Sequence, residues 1–152
     1  MDEPQLKITH RNLPHWTLPG SMYFVTFRLA RGTLSASERS VVLKHLTSGH
    51  KKFYLLAAAV VMPDHVHLLI KPLGEYTLSR VMKGIKGVSA RLLNQLRDTQ
   101  GTVWQDESWD RIVRDAEEFQ EKLQYMANNP VKSGLVQEGE KYAAWFLESE
   151  LV

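Results

Sequence analysis

Bulky and polar residues alternate from Met22 to Ala30 (MYFVTFRLA), a period of two that predicts a β-strand. Tyr23, Val25, Phe27 and Leu29 fall on one face, and Phe24, Thr26 and Arg28 on the other. The period then lengthens. From Ser35 to about Ser48 the apolar positions Val41, Val42 and Leu46, with His45, recur at helical spacing. Ser35 and Glu38 form a capping box at its start, and Gly49 stops it. Phe53 to Met62 is an unbroken apolar run, the pattern of a strand buried on both faces. His65 to Lys71 is the next strand. Only Pro63-Asp64 separates these two, so they should pair as an antiparallel hairpin.

Thr77 to about Leu96 predicts a long helix with Leu78, Val81, Met82, Ile85, Val88, Leu92 and Leu96 as its apolar stripe. Gly84 and Gly87 within it mark close approach by a backbone or ligand, or a plain packing contact. Thr102 to Val113 reads as two short strands, or a strand and turn, anchored by Trp104 and Trp109. Asp115 to Asn129 is the last helix. Asp115 caps it, Glu118 answers, Phe119, Leu123 and Met126 are its buried stripe, and Pro130 ends it. Residues 1–21, with Pro4, Pro14, Pro19 and Gly20, read as an irregular arm. Residues 135–152, with Tyr142, Trp145 and Phe146, read as a short closing segment. The series β-α-β-β-α-β-α is the ferredoxin-like split βαβ of an α+β domain. It implies an antiparallel sheet with helices packed mainly on one face, leaving the other face free for function.

Composition adds limits. At 152 residues the chain is expected to be one domain with one core. It has no cysteine, which excludes disulfides, thiolate catalysis and Cys-type zinc sites. No apolar run reaches the ~18 residues of a membrane span, and the N-terminus lacks a signal-peptide core, so the expected location is cytoplasmic and the expected partners exclude membrane. The net charge of +2 says little about partners, but its distribution says more. Between Tyr76 and Arg97 stand Arg80, Lys83, Lys86, Arg91 and Arg97 with no acidic residue. That segment can line a polyanion or form a solvated helix face.

Candidate chemistry begins at His65 and His67. On a strand they share a face about 7 Å apart, where they can converge on one divalent ion or stand as a histidine pair on a solvated face. In the last helix Tyr125 and Asn129 lie four apart, hence on one side. Tyr125 is off the core stripe, as a tyrosine packed at a helix edge also is. Asn129 precedes a proline, where an asparagine also serves to terminate a helix.

Taken together, YFVTFRLA, VVMPDHVHLLIKP, LSRVMKGIKG, WQDESWDRIVR and LQYMANNPVKSGLV, in order from about residue 13 to residue 136, resemble the REP-associated tyrosine transposases, of the single-tyrosine branch of HUH endonucleases. The resemblance implies that His65 and His67 are the metal-binding HUH pair, that Tyr125 is the catalytic tyrosine, and that Asn129 completes the metal site. It implies cleavage of single-stranded DNA beside a hairpin or repeat through a 5′-phosphotyrosine link. Asp64, Met126 and Ser133 depart from the residues frequent at these positions in the family, and none is a proposed reactive group. The cation would be Mg²⁺ or Mn²⁺, the latter suiting a His-containing site at least as well. Arg28, Lys71, Arg80, Lys83, Lys86, Arg111, Arg114 and Lys132 are candidates for phosphate contacts. Phe24, Trp104 and Trp109 are candidates for stacking on unpaired bases. A catalytically silent DNA-binding module on the same fold is the alternative, and a hydrolase using the two histidines is a third reading. The DNA target, and whether the protein is a monomer or homodimer, are not set by the sequence.

Overall fold

The strand that reads as apolar throughout, β2 (Tyr54–Val61), is buried at every residue. It lies second from one edge of a five-stranded antiparallel sheet of order β4-β1-β3-β2-β5, built from β1 (Met22–Leu29), β3 (His65–Pro72), β4 (Trp104–Val113) and β5 (Trp145–Leu147). This is the split βαβ arrangement with one added strand. The computed structural model describes residues 20–149, so all but the last two residues of the expected N-terminal arm lie outside the described residues. The closing segment does more than pack: its Trp145–Leu147 pairs with Ala58–Val60 and covers the edge of β2.

Helix α1 (Ala36–Ser48) begins as the sequence predicts, with the Ser35–Glu38 capping box formed in both directions. Helix α2 (Leu78–Arg97) buries Val81, Met82, Ile85, Ser89 and Leu93. The stripe therefore runs at steps of four through Ser89 and Leu93, and Leu96 is left 55% exposed. Apolar counting misses this because Ser89 is polar. Its hydroxyl donates to the Ile85 carbonyl and accepts from Trp104 Nε1, so burial leaves it satisfied. Gly84 and Gly87 face open space: a Cβ at either meets nothing within 4 Å, and neither marks a close approach within the described chain.

Two further expectations change. Residues 104–113 form one strand with an irregularity in its pairing to β1, not two strands. Trp104 is a true anchor, buried against Phe27 at 4.7 Å, but Trp109 is 66% exposed on the opposite face. Helix α3 (Ala116–Lys132) runs through Pro130 rather than ending at it. A proline in the last turn removes a single N–H bond, and the helix closes around it with Ser133 N–H on the Asn129 carbonyl and Leu135 N–H on the Pro130 carbonyl. Asp115 caps the Glu118 N–H, but Glu118 answers through the Arg114 N–H and Arg111, so only half of the expected box forms.

The helices divide between the two faces. Helices α1 and α2 pack on each other over the face carrying Val25, Phe27 and Trp104. Helix α3 crosses the other face over β2 and β3. That face is therefore only half free, along β1 and β4. Among the described residues no helix is long and apolar enough to cross a membrane.

Candidate active site

The alternation read from β1 and β3 sets out the site once their register is known. Thr26 pairs with His67 and Arg28 with His65, so all four side chains, with Phe24, rise from the face that α3 crosses. Helix α3 turns Phe119, Leu123 and Met126 fully into the core, which carries Tyr125 and Asn129 around to the histidines. Asn129 Oδ1 lies 3.2 Å from His65 Nε2. The Tyr125 ring meets His67 edge to face with centroids 5.4 Å apart, and meets Phe24 at 6.1 Å. The two imidazoles lean together to 4.7 Å, and Phe24 stacks on His67 at 5.4 Å. The four residues singled out for chemistry in the sequence thus come together from elements about sixty residues apart.

Each histidine is oriented by a neighbour. His67 Nδ1 lies 2.7 Å from Thr26 Oγ1, and His65 Nδ1 lies 2.7 Å from Asp64 Oδ1. In the tautomers that donate Nδ1–H to these oxygens, both Nε2 atoms carry free electron pairs. His67 Nε2 is buried with no hydrogen-bond partner. His65 Nε2 then faces an amide oxygen, another electron-pair donor. Two imine nitrogens and one amide oxygen on neighbouring side chains are a donor set of a kind that can hold a divalent cation. Among the described residues no three His, Cys, Asp or Glu side chains gather, and the Asn129 amide is the further donor beside the two imidazoles.

Burial pushes His67 down to about 3, helped by the charges of His65, Arg28 and Lys122. It is therefore neutral, as a metal ligand must be, at physiological pH. The hydrogen bond from His65 holds the Asp64 carboxyl below its ordinary range against the opposing effect of burial.

The basic candidates separate. Arg28 is exposed beside the histidines. Arg111 sits opposite Phe24 on the same face, paired with Glu118 at 2.8 Å. Arg114 precedes α3, Lys132 is in its last turn, and both are exposed. Lys71 is 2% exposed, and burial lowers its pKa, so as placed it offers no surface to a phosphate. Arg80, Lys83 and Lys86 belong to α2, on the opposite layer. There Arg80 stacks over Tyr76, and Lys86 Nζ donates to the Gln105 and Asp106 carbonyls at 2.6 and 3.0 Å. The acid-free helix therefore does not adjoin the histidines. A cavity of about 590 Å³ between α2 and β4 lies on that same remote layer and contains none of the four site residues. Of the aromatics, Trp109 is exposed opposite Thr26 on the site's face, Phe24 is part of the site floor, and Trp104 is core. Two site residues escape a reading of the sequence: Thr26, visible only through strand register, and Lys122, one turn before Tyr125.

Residues 32–128 match the family described as IS200-like transposases. A Haemophilus influenzae protein named as a REP-associated tyrosine transposase is 28% identical over 133 residues, 78% of this chain and 74% of that one. The structure of a REP-associated tyrosine transposase bound to a REP hairpin superposes with a TM-score of 0.68 at 20% identity, covering 91% of this chain and 81% of that one. A Deinococcus radiodurans structure described as that of a transposase gives 0.51 at 21% identity, covering 73% and 92%. These structural likenesses are likenesses of fold.

Proposed function

Because the chain belongs to the IS200-like transposase family, we propose that it cuts single-stranded DNA with Tyr125 and transfers the strand through a covalent 5′-phosphotyrosine. The observation that carries this reading is the convergence of Tyr125 on His67 and of Asn129 on His65, within one cluster. His65 Nε2, His67 Nε2 and Asn129 Oδ1 would hold Mg²⁺ or Mn²⁺. Such an ion supplies charge neutralisation and orientation at the scissile phosphate.

Tyr125 is 46% exposed, and its side chain can be reached by a strand laid over the uncovered half of the sheet. In the forward step Tyr125 Oη forms a bond to phosphorus and the bond to the 3′-oxygen breaks. The phenol proton passes to water, and the departing 3′-oxyanion takes a proton from water. The phosphotyrosine keeps the energy of the diester, so a 3′-hydroxyl can reverse the step, and cleavage and strand transfer are one reaction in two directions. Along the strand's path Arg28 and Arg111 can meet phosphates, and the exposed Trp109 ring can stack on an unpaired base. The hairpin-bound relative motivates a hairpin or repeat as the substrate.

The test is a denaturing gel for a protein–DNA adduct, with single-stranded hairpin oligonucleotides and Mn²⁺. Wild type should form the adduct and Tyr125→Phe should not. An adduct that survives the substitution removes Tyr125 as nucleophile. Hairpin binding by wild type without any adduct in Mg²⁺ or Mn²⁺ selects the silent binding module instead.

A further inference from the structure

Lys122 stands three residues before Tyr125 on α3, on the same side of the helix. Its Nζ lies 5.1 Å above the ring of Phe24. Phe24 is the residue on which His67 stacks and against which Tyr125 sets its edge. The ammonium, the tyrosine and the buried imidazole thus share one aromatic platform. The charge of Lys122 is felt there, as one of the contributions that keep His67 unprotonated.

An aromatic ring holds Lys122, as Tyr76 holds Arg80 on the remote layer, whereas Arg97 and Lys86 are held otherwise. Arg97 is paired with Glu38, and Lys86 is bound to backbone carbonyls of β4. Glu118, one turn before Lys122, is taken by Arg111 at 2.8 Å and Arg114 at 3.8 Å. Among the described residues no carboxylate lies within 4.0 Å of Lys122. An aromatic face positions a cation without cancelling its charge, which a carboxylate would do. The ammonium, partly exposed, keeps its charge available to an anion.

We propose that Lys122 is a further catalytic residue of strand cutting, its ammonium contacting a non-bridging oxygen of the phosphate that Tyr125 attacks. The inference rests on the phosphotyrosine reading given above. As the Oη–phosphorus bond forms and the bond to the 3′-oxygen breaks, negative charge gathers on the non-bridging oxygens, which Lys122, one turn before Tyr125 on the same side of α3, would meet. It stays protonated throughout and transfers no proton. Its worth lies in being in place before the charge develops, as with other preorganised donors.

The experiment compares wild type, Lys122→Met and Lys122→Arg in single-turnover adduct formation on a hairpin oligonucleotide with Mn²⁺, beside hairpin affinity by fluorescence anisotropy. Methionine keeps an apolar stem over Phe24 and removes the charge. Arginine keeps the charge and the ring contact. Lys122→Met should slow adduct formation about 100-fold, the usual loss for one such contact. It should change affinity less than about 3-fold, because one phosphate contact is a small part of binding. Lys122→Arg should recover most of the rate. Should Lys122→Met prove unfolded by circular dichroism, Lys122→Arg against Lys122→Gln carries the same comparison. Adduct formation by the uncharged variant at the wild-type rate, or by arginine no faster than the uncharged variant, overturns the role of Lys122 and leaves Tyr125 standing. No adduct from wild type overturns the underlying reading, and this inference with it.

Discussion

His67 shows how little of a site resides in the residue that names it. The imidazole is 3% exposed, and what it can do depends on Thr26, whose Oγ1 lies 2.7 Å from Nδ1. With Nδ1–H donated to that hydroxyl, Nε2 is left with a free electron pair for the proposed cation. Thr26→Val keeps the shape and removes the acceptor. Affinity for Mn²⁺, read by isothermal titration calorimetry, should fall about 10- to 100-fold. The lost partner should also cost about 1–3 kcal/mol of stability in the metal-free protein. Unchanged Mn²⁺ affinity would mean that Thr26 does not set the tautomer. Sequence reading names His65, His67, Tyr125 and Asn129 but passes over Thr26 and Lys122. The first four sit at short characteristic spacings within one strand or one helix. Thr26 meets His67 across 41 positions, through a register that alternation alone does not determine. Lys122 matters through the ring of Phe24, on another element altogether.

At the scale of elements, periodicity predicts where most segments run and fails where polar groups are buried with partners. Helix α2 is the clear case. Ser89 is fully buried, and its hydroxyl links the Ile85 carbonyl to the indole N–H of Trp104. Ser89→Ala leaves that buried indole donor unsatisfied. It should destabilise the fold by about 1–3 kcal/mol in urea unfolding with unchanged slope. A variant as stable as wild type would show that Trp104 needs no partner there. Pro130 fails in the opposite direction. Asn-Pro is read as a stop, but a proline in the final turn costs one hydrogen bond, and the buried Met126, Ala127 and Asn128 before it hold the turn in place. Asn129 is consequently helical, which lets it sit one turn after Tyr125 and reach His65. Trp109 looked like an anchor because large aromatics usually are. On β4, whose outer edge pairs with no other strand among the described residues, it faces solvent.

For the whole molecule, α1 and α2 cover one face of the sheet, as expected of helices packed mainly on one side, and α3 set across the other makes a third layer. The acid response follows from two groups in different layers. His67 is pushed from 6.5 to about 3, chiefly by burial, and Glu38 from 4.5 to about 2, chiefly by its hydrogen bond from Arg97. Both bind protons more readily unfolded than folded, so both favour the fold at higher pH. The His67 contribution is complete above about 6.5 and is lost as pH falls toward 3. The Glu38 contribution is complete above 4.5 and is lost toward 2. Thermal melts of metal-free protein should show a melting temperature that declines below pH 6.5 and steepens below 4.5. A curve flat between 6.5 and 4.5 would mean that His67 accepts a proton within the fold. The layered arrangement also gives the two halves of the site different standing in the native ensemble. The histidines ride on β3, the central strand, hydrogen-bonded on both sides by β1 and β2 and covered above and below. Hydrogen exchange of their backbone amides should therefore follow the opening of the sheet as a whole. Tyr125 and Asn129 ride on an outer helix anchored through Phe119, Leu123 and Met126, so one half of the site is fixed by strand pairing on both sides and the other by side-chain packing.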